Sequence, residues 1–204
     1  ALPPSPSLVR AFIPSAVNQL WVSDITYIPV WADDVTYGFV YLSMIMDAFS
    51  HEIIGWAVGP TLETLYPAKA LEMAFGRLQE SDGEILEGLI HHSDRGVQYA
   101  SREYVSMLRK KRVKISMTEN GDPKENAMAE RINSTVKNEL LKGIRFTSMQ
   151  QVVDAMAVAV NFYNTMRPHM SVDMMTPQEA AGCNGEIRKW WRSYREEAIK
   201  KNSA

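Results

Sequence analysis

Three strand-like segments follow one another between Leu20 and Val58, joined by links too short to hold a crossover helix. The first runs from Leu20 to Val30 and is rich in Trp, Val, Ile, Thr and Tyr. The second runs from Tyr37 to Asp47 and the third from Glu52 to Val58, with only Ala48-Phe49-Ser50-His51 between them. Parallel neighbours need a crossover of about a dozen residues, so these strands form an antiparallel meander.

The pattern then changes. Ala70, Leu71, Ala74, Phe75 and Leu78 fall on one helical stripe. Leu89-Ile90-His91-His92 reads as a fourth strand, ending at Ser93-Asp94-Arg95-Gly96. Ser101 can cap a helix carrying Tyr104, Val105 and Leu108, with basic residues in its last turn. Val113 to Met117 is a fifth strand, followed by a polar loop from Glu119 to Asn126. A helix from about Ala127 to Lys142 and another from Ser148 to Tyr163 complete the sequence of elements. Three antiparallel strands, then helix, strand, helix, strand and further helices is the order of an α/β ribonuclease H-like fold. It implies a five-stranded mixed sheet with helices on both faces. Residues 1–18, with four prolines, read as a linker or extended arm, 19–168 as the core, and 169–204 as a basic and aromatic tail.

Within that frame, Leu20, Val22, Asp24, Thr26 and Ile28 share one face by period two, so Asp24 interrupts a largely apolar row. A buried carboxylate is costly unless hydrogen bonds or a cation compensate it. Asp94 directly follows the fourth strand, where α/β sheets commonly hold ligands, although an Asp also simply opens turns. Glu130 shares a polar helix face with Asn133, Ser134 and Lys137, while Ile132, Val136 and Leu140 form the apolar stripe. Taken alone, that polar face could be merely solvated. Three acids from distant segments together point to a magnesium site for phosphoryl transfer. There is no P-loop and no Cys/His zinc spacing, and the single Cys183 excludes an intramolecular disulfide framework. Adjacent on a strand, His91 and His92 face opposite ways and read as structural.

Net charge is −2, yet the basic residues are clustered, at Arg109–Arg112, along the Glu130 helix, and in the tail with Trp190-Trp191. Distribution, rather than the sum, governs nucleic-acid binding. No apolar run approaches the length of a membrane span and no leader is visible, which together with the lone cysteine suggests a cytoplasmic protein. The chain opens on Ala rather than Met, as an excised fragment would.

These segments carry a resemblance. LWVSDITYI, HHSDRGVQY and NGDPKENAMAERINSTVKNEL, with 35 residues between Asp94 and Glu130, resemble a DDE transposase catalytic core of the insertion-sequence-three family, similar to retroviral integrase. FYNTMRPHMSVDMMTPQEA is similar to that family's ending. The resemblance spans about residues 10 to 182. It implies that Asp24, Asp94 and Glu130 are catalytic and hold magnesium or manganese, two ions in all. It also implies cleavage at transposon ends, strand transfer into target DNA, and self-association into a dimer or larger assembly. Lys137 would contact DNA near the donor end, and Lys124, Arg131, Asn133 and Arg167 are further DNA-contact candidates. For Arg167 the alternative is a purely structural end to its helix, for Asn126 a helix cap, and for Asp47 a turn. The family's upstream helix-turn-helix segment and the integrase-type zinc-binding domain are not found in this chain. Two other readings stay open: a hydrolysis-only nuclease of the same fold, or an inactive DNA-binding or assembly module.

Overall fold

A computed structural model describes residues 3, 5–78, 86–119 and 126–202. The strands are β1 (Leu20–Trp31), β2 (Tyr37–Asp47), β3 (Ile53–Gly59), β4 (Ile90–Ser93) and β5 (Lys114–Met117). They form one sheet in the order β3-β2-β1-β4-β5. β1, β2 and β3 are antiparallel, whereas β4 and β5 run parallel to β1. This is the mixed sheet that the element order implies.

Helices α1 (Leu65–Gly76) and α2 (Arg102–Lys110) cover one face. Their core includes Trp21, Ile45, Leu71, Tyr104 and Leu108. On the other face lie α3 (Ala127–Thr135) and α4 (Met149–Thr165), over a core that includes Val22, Leu42, Met44, Ile132, Val136 and Met156. Period-two alternation along β1 thus sends odd residues to α1 and α2, and even residues, Asp24 among them, to α3. Ser101 and Ser148 cap α2 and α4, accepting from Tyr104 N at 3.2 Å and Gln151 N at 3.3 Å. The tight β2–β3 link is built on Asp47, whose Oδ1 accepts from Phe49 N (3.0 Å) and Ser50 N (2.9 Å).

Two differences from the sequence reading matter. First, the long helix is α only to Thr135; Val136–Leu140 is a π turn, closed by Leu141 N donating to Val136 O at 2.9 Å. The extra residue rotates Leu141 into the core and leaves Leu140 half-buried. Second, the arm and the tail are packed against the rest of the fold. Leu8 N donates to Ser116 Oγ (2.8 Å), and Arg10 pairs with Glu119 (3.0 Å). The tail ends in α6 (Tyr194–Asn202), whose Arg195 donates to the carbonyls of Val9 and Phe12. Between α4 and the tail lie a 3₁₀ turn (Met170–Val172) and α5 (Pro177–Ala181). Among the described residues, no helix is long and apolar enough to cross a membrane.

The two adjacent histidines serve the interior. His91 Nε2 lies 3.1 Å from Ser23 Oγ and 2.9 Å from Tyr104 Oη, and His92 Nδ1 lies 2.8 Å from Ser116 Oγ. Burial pushes the His91 imidazole down from about 6.5 to about 3. The native state therefore keeps it neutral in a range where the unfolded chain takes up a proton. Its contribution is intact above pH 6.5 and is lost as pH falls toward 3, at up to about 1.4 kcal/mol per pH unit. Mainly through burial, His51 and His169 are depressed to about 3 and about 4, in the same sense. Asp24, raised to about 6, acts oppositely between pH 4 and 6. Asp47 and Glu52, also raised chiefly by burial, act with Asp24, but the three histidines begin to lose their contribution already at 6.5, so the melting temperature should fall as pH drops from 7 to 6. A thermal melt series showing a rise would contradict this account.

Candidate active site

β4 pairs with β1 in parallel, with Val22 opposite His92. Asp24 and Asp94 each lie two residues beyond that pair, on neighbouring chains that run about 4.8 Å apart where they are bonded. Asp94 has just left β4, and its Oδ1 accepts from Gly96 N at 2.9 Å. A Cβ on Gly96 would stand 2.9 Å from both Asp94 Oδ1 and Gln98 Oε1, so glycine lets this turn close tightly around the carboxylate. Arg95 turns the other way, its Nε donating to Thr118 O at 2.6 Å.

The third acid comes from above the sheet. α3 lies on the even face of β1 because Ala129, Ile132 and Val136 pack into the core there. That docking puts Asn133 directly against Asp24, with Asn133 Nδ2 donating to Asp24 Oδ2 at 2.7 Å. The other carboxylate oxygen, Oδ1, accepts from Ile25 N at 2.9 Å. Glu130, exposed in the first turn of α3, stands one turn before Asn133 on the same face. Desolvation raises the proton affinity of Asp24 to about 6, and the charges of Asp94 and Glu130 raise it further, against the lowering by its two hydrogen bonds. All three acids therefore share one electrostatic environment.

Three carboxylates, one of them substantially desolvated, are a donor set suited to a hard divalent cation. Among the described residues, however, no three His, Cys, Asp or Glu side chains stand close enough together to hold a single ion. Like charges repel unless a cation lies between them, so an open spacing is the natural resting arrangement. Glu130 is exposed and carried on a helix, which makes it the acid freest to close the set.

The remaining candidates divide. Lys137, in the π turn, reaches over the ring of Tyr27 with Nζ 4.1 Å from the centroid. Asn133 is buried and bonded to Asp24; its place on the polar face reflects contact with a carboxylate and not with solvent. Arg131 points toward the tail, its guanidinium 5.9 Å from the Trp191 ring. Arg167 pairs with Glu139 at 2.7 Å and lies 3.1 Å from His169. Its neighbour Asn164 clamps β3, exchanging both bonds with the backbone of Ile53 at 2.9 Å. Asn126 occupies the cap position of α3 without a side-chain capping bond, so the cap reading does not hold. Lys124 lies outside the described residues. Sequence reasoning missed the Asp24–Asn133 bond and the role of Gly96; the i, i+3 spacing from Glu130 to Asn133 was the available signal for the first.

Comparison with known proteins adds the following. A family model described as integrase core domain matches residues 14–123, and a second of the same description matches residues 111–177. The chain is 34% identical over 171 residues to a transposase for insertion sequence element IS629 of Shigella sonnei, covering 84% of this chain and 54% of that protein. It is 31% identical over 183 residues to transposase InsF for insertion sequence IS3A of Escherichia coli K12, covering 87% of this chain and 59% of that protein. The chain thus spans little more than half the length of these relatives. The HTLV-2 integrase catalytic core domain in complex with magnesium, in a trimeric form, superposes with a TM-score of 0.57 at 16% identity. That match covers 81% of this chain and 97% of the viral domain, and it establishes the shared fold.

Proposed function

This chain belongs to the integrase core domain family, and from that premise we propose that it is the catalytic domain of a transposase of the insertion-sequence-three type. Its reaction is metal-dependent cleavage of DNA at transposon ends, followed by transfer of the freed 3′-hydroxyl onto target DNA. The observation that carries this reading is the setting of Asp24, desolvated beneath α3, bonded to Asn133 and within range of the charges of Asp94 and Glu130. Such a cluster is costly for a fold and useful to phosphoryl transfer.

Asp24, Asp94 and Glu130 would hold magnesium or manganese, two ions in all, which would activate the attacking oxygen and stabilise the leaving one. The residues themselves have distinct tasks. Asn133 and the Ile25 amide fix the rotamer of Asp24 by donating to one oxygen each, and each oxygen keeps a lone pair for a cation. The Gly96 amide does the same for Asp94. Glu130 closes from α3, and Lys137 on the same helical path meets the phosphates of the donor strand. Water serves as nucleophile in the first step and a DNA 3′-hydroxyl in the second, so no protein nucleophile is required. The magnesium in the viral structure and its trimeric form favour a metal-loaded assembly pairing two DNA ends. In a bacterial cell, the source of these relatives, that assembly would work in the cytoplasm on nucleoid DNA.

A strand-transfer assay on the full-length protein containing this domain tests the reading, using a labelled transposon-end duplex and a supercoiled target. Joined products are expected with magnesium or manganese. Cleavage without joining would identify a hydrolytic nuclease, and metal binding with neither product would identify an inactive assembly module.

A further inference from the structure

Odd residues of β1 and β2 share the face opposite Asp24. Near the β4 end this face is covered, for Trp21 and Ile45 lie in the core under α1 and α2. Beyond Ile25 the cover ends. Tyr27, Tyr37 and Phe39 are 53%, 49% and 44% exposed, and Trp31 is half-buried. Their rings form an unbroken series: Tyr27 to Phe39 at 5.0 Å, Phe39 to Tyr37 at 5.4 Å, and Tyr37 to Trp31 at 4.6 Å between centroids. A cation closes each end, Lys137 Nζ at 4.1 Å from the Tyr27 ring and Arg145 Cζ at 4.3 Å from the Trp31 ring.

Cross-strand aromatic pairs stabilise hairpins, and Trp31 is in register with Tyr37. That role explains why the rings touch one another. It does not explain why three large rings remain wet, nor why a cation stands at both ends. Lys137 reaches Tyr27 around the side of β1 that β4 leaves open, since β4 pairs only with Leu20–Val22. It therefore belongs both to the helix that carries Glu130 and to this ladder.

We propose that the Tyr27–Phe39–Tyr37–Trp31 ladder is a stacking platform for unpaired nucleotides of the DNA end being processed, with Lys137 and Arg145 meeting the phosphates at its two ends. The proposal rests on the transposase reading and adds a binding surface to it. Aromatic faces accept any base, but only one that has left the duplex, because paired bases already stack on their neighbours. Charge complementarity selects the occupant: an apolar surface bracketed by cations suits a polyanion with flat apolar bases better than it suits another protein. Tyr27 is three residues from Asp24 on the same strand, about 10 Å along the chain, and although it lies on the opposite face, Lys137 joins the two around the open edge of β1. From Tyr27 to Trp31 the ladder spans about 13 Å, room for roughly four stacked nucleotides at about 3.4 Å each. Asp33 and Asp34 lie at the turn beyond Trp31, and Arg145 is tied there by Asp33 O at 2.6 Å and by an exposed ion pair with Asp34 at 3.4 Å, which an incoming phosphate would have to displace. The strand is thus drawn in at the Lys137 end and stops at the turn.

The test is DNA affinity by fluorescence anisotropy, without divalent metal, for one hairpin duplex either blunt or carrying about four unpaired thymidines. The wild-type chain should bind the tailed DNA about tenfold more tightly, within the range for loss of a single stacked base. The double variant Tyr37→Val/Phe39→Leu keeps strand-forming apolar residues and should bind both DNAs alike, at the blunt-end affinity. Tyr37→Trp should retain the preference. An unchanged preference in the double variant overturns the platform. So does a preference-neutral change in oligomeric state by light scattering, which would make this face a contact between copies. If the wild-type chain binds neither DNA, or binds both equally, the platform falls, while the transposase reading stands or falls by the strand-transfer assay on the full-length protein.

Discussion

Replacing Asp24 with Asn is expected to abolish strand transfer, by at least about a thousandfold, while making the metal-free protein more stable. Both effects follow from the same charge. Asp24 stands in an apolar row, under a helix, with two other acids in range, and its proton affinity is raised from 3.8 to about 6. A raised carboxylate pKa means that the native state resists ionisation. Stability therefore falls as pH rises from about 4 to 6, and the full cost remains above that window. The two-unit shift corresponds to about 3 kcal/mol, and because the carboxylate is only partly buried, solvent screening reduces this to about 1–2 kcal/mol. Asn keeps an oxygen for Asn133 and removes the charge, so the melting temperature at pH 7.5 should rise by roughly 4 °C. The gain should shrink as pH is lowered through 6, where wild-type Asp24 takes up its proton. Asp94→Asn and Glu130→Gln should lose activity to a similar extent. A variant with full activity would remove that acid from the site, and an Asp24→Asn protein that melts below wild type at pH 7.5 would show the carboxylate to be a structural acceptor.

Much of this architecture is legible in the chain because the physics behind it is local. Period-two alternation set β1 and β2 almost to the residue, and Ser101 and Ser148 announce their helices by a hydroxyl placed before an apolar stripe. The mixed sheet follows from link lengths alone. The convergence of Asp24, Asp94 and Glu130 is a different matter, because no local rule brings residues so far apart in the chain together. In the sequence it rested on the strand and helix settings of three acids together with the resemblance of the segments around them. What stayed hidden depended on tertiary contact. Asn133 has the residue type and face of a solvated position, and only the docking of α3 over β1 turns it onto Asp24. The π turn at Val136–Leu140 escapes pattern reading because Val136 and Leu141 satisfy the core as well as Val136 and Leu140 would have done. Arg167 and Arg131 are DNA-contact candidates whose intramolecular partners a sequence does not display. In the fold they meet Glu139 and Trp191, whose positions no spacing rule gives.

Replacing Gly55 with Ala should produce the reverse of the Asp24 substitution, a large loss of stability with the chemistry spared. Gly55 lies in β3, paired with Ile45, where α1 crosses the sheet. A Cβ built there would stand 2.1 Å from the carbonyl oxygen of Ala70, and 3.1 Å from both Ala70 C and Ala74 N. All three are backbone atoms, so no change of rotamer relieves the contact and helix and sheet must part. Ala70 and Ala74 are themselves fully buried, which marks this as a close helix–sheet approach built from small residues. Overpacking of this kind costs about 3 kcal/mol or more, a fall in melting temperature of roughly 6–12 °C. Gly59 offers an instructive contrast, since its Cβ would meet the ring of Tyr66, a side chain that can swing aside. Gly59→Ala should therefore cost less than Gly55→Ala. The acids ride on β1, the end of β4 and α3, whereas α1 packs on β2, β3 and α2. Below its melting point, Gly55→Ala should accordingly retain strand transfer within a few-fold of wild type. An unchanged melting temperature would mean that α1 slides freely over β3. A stable but inactive variant would mean that the far side of the sheet, through β2 and β1, sets the position of Asp24.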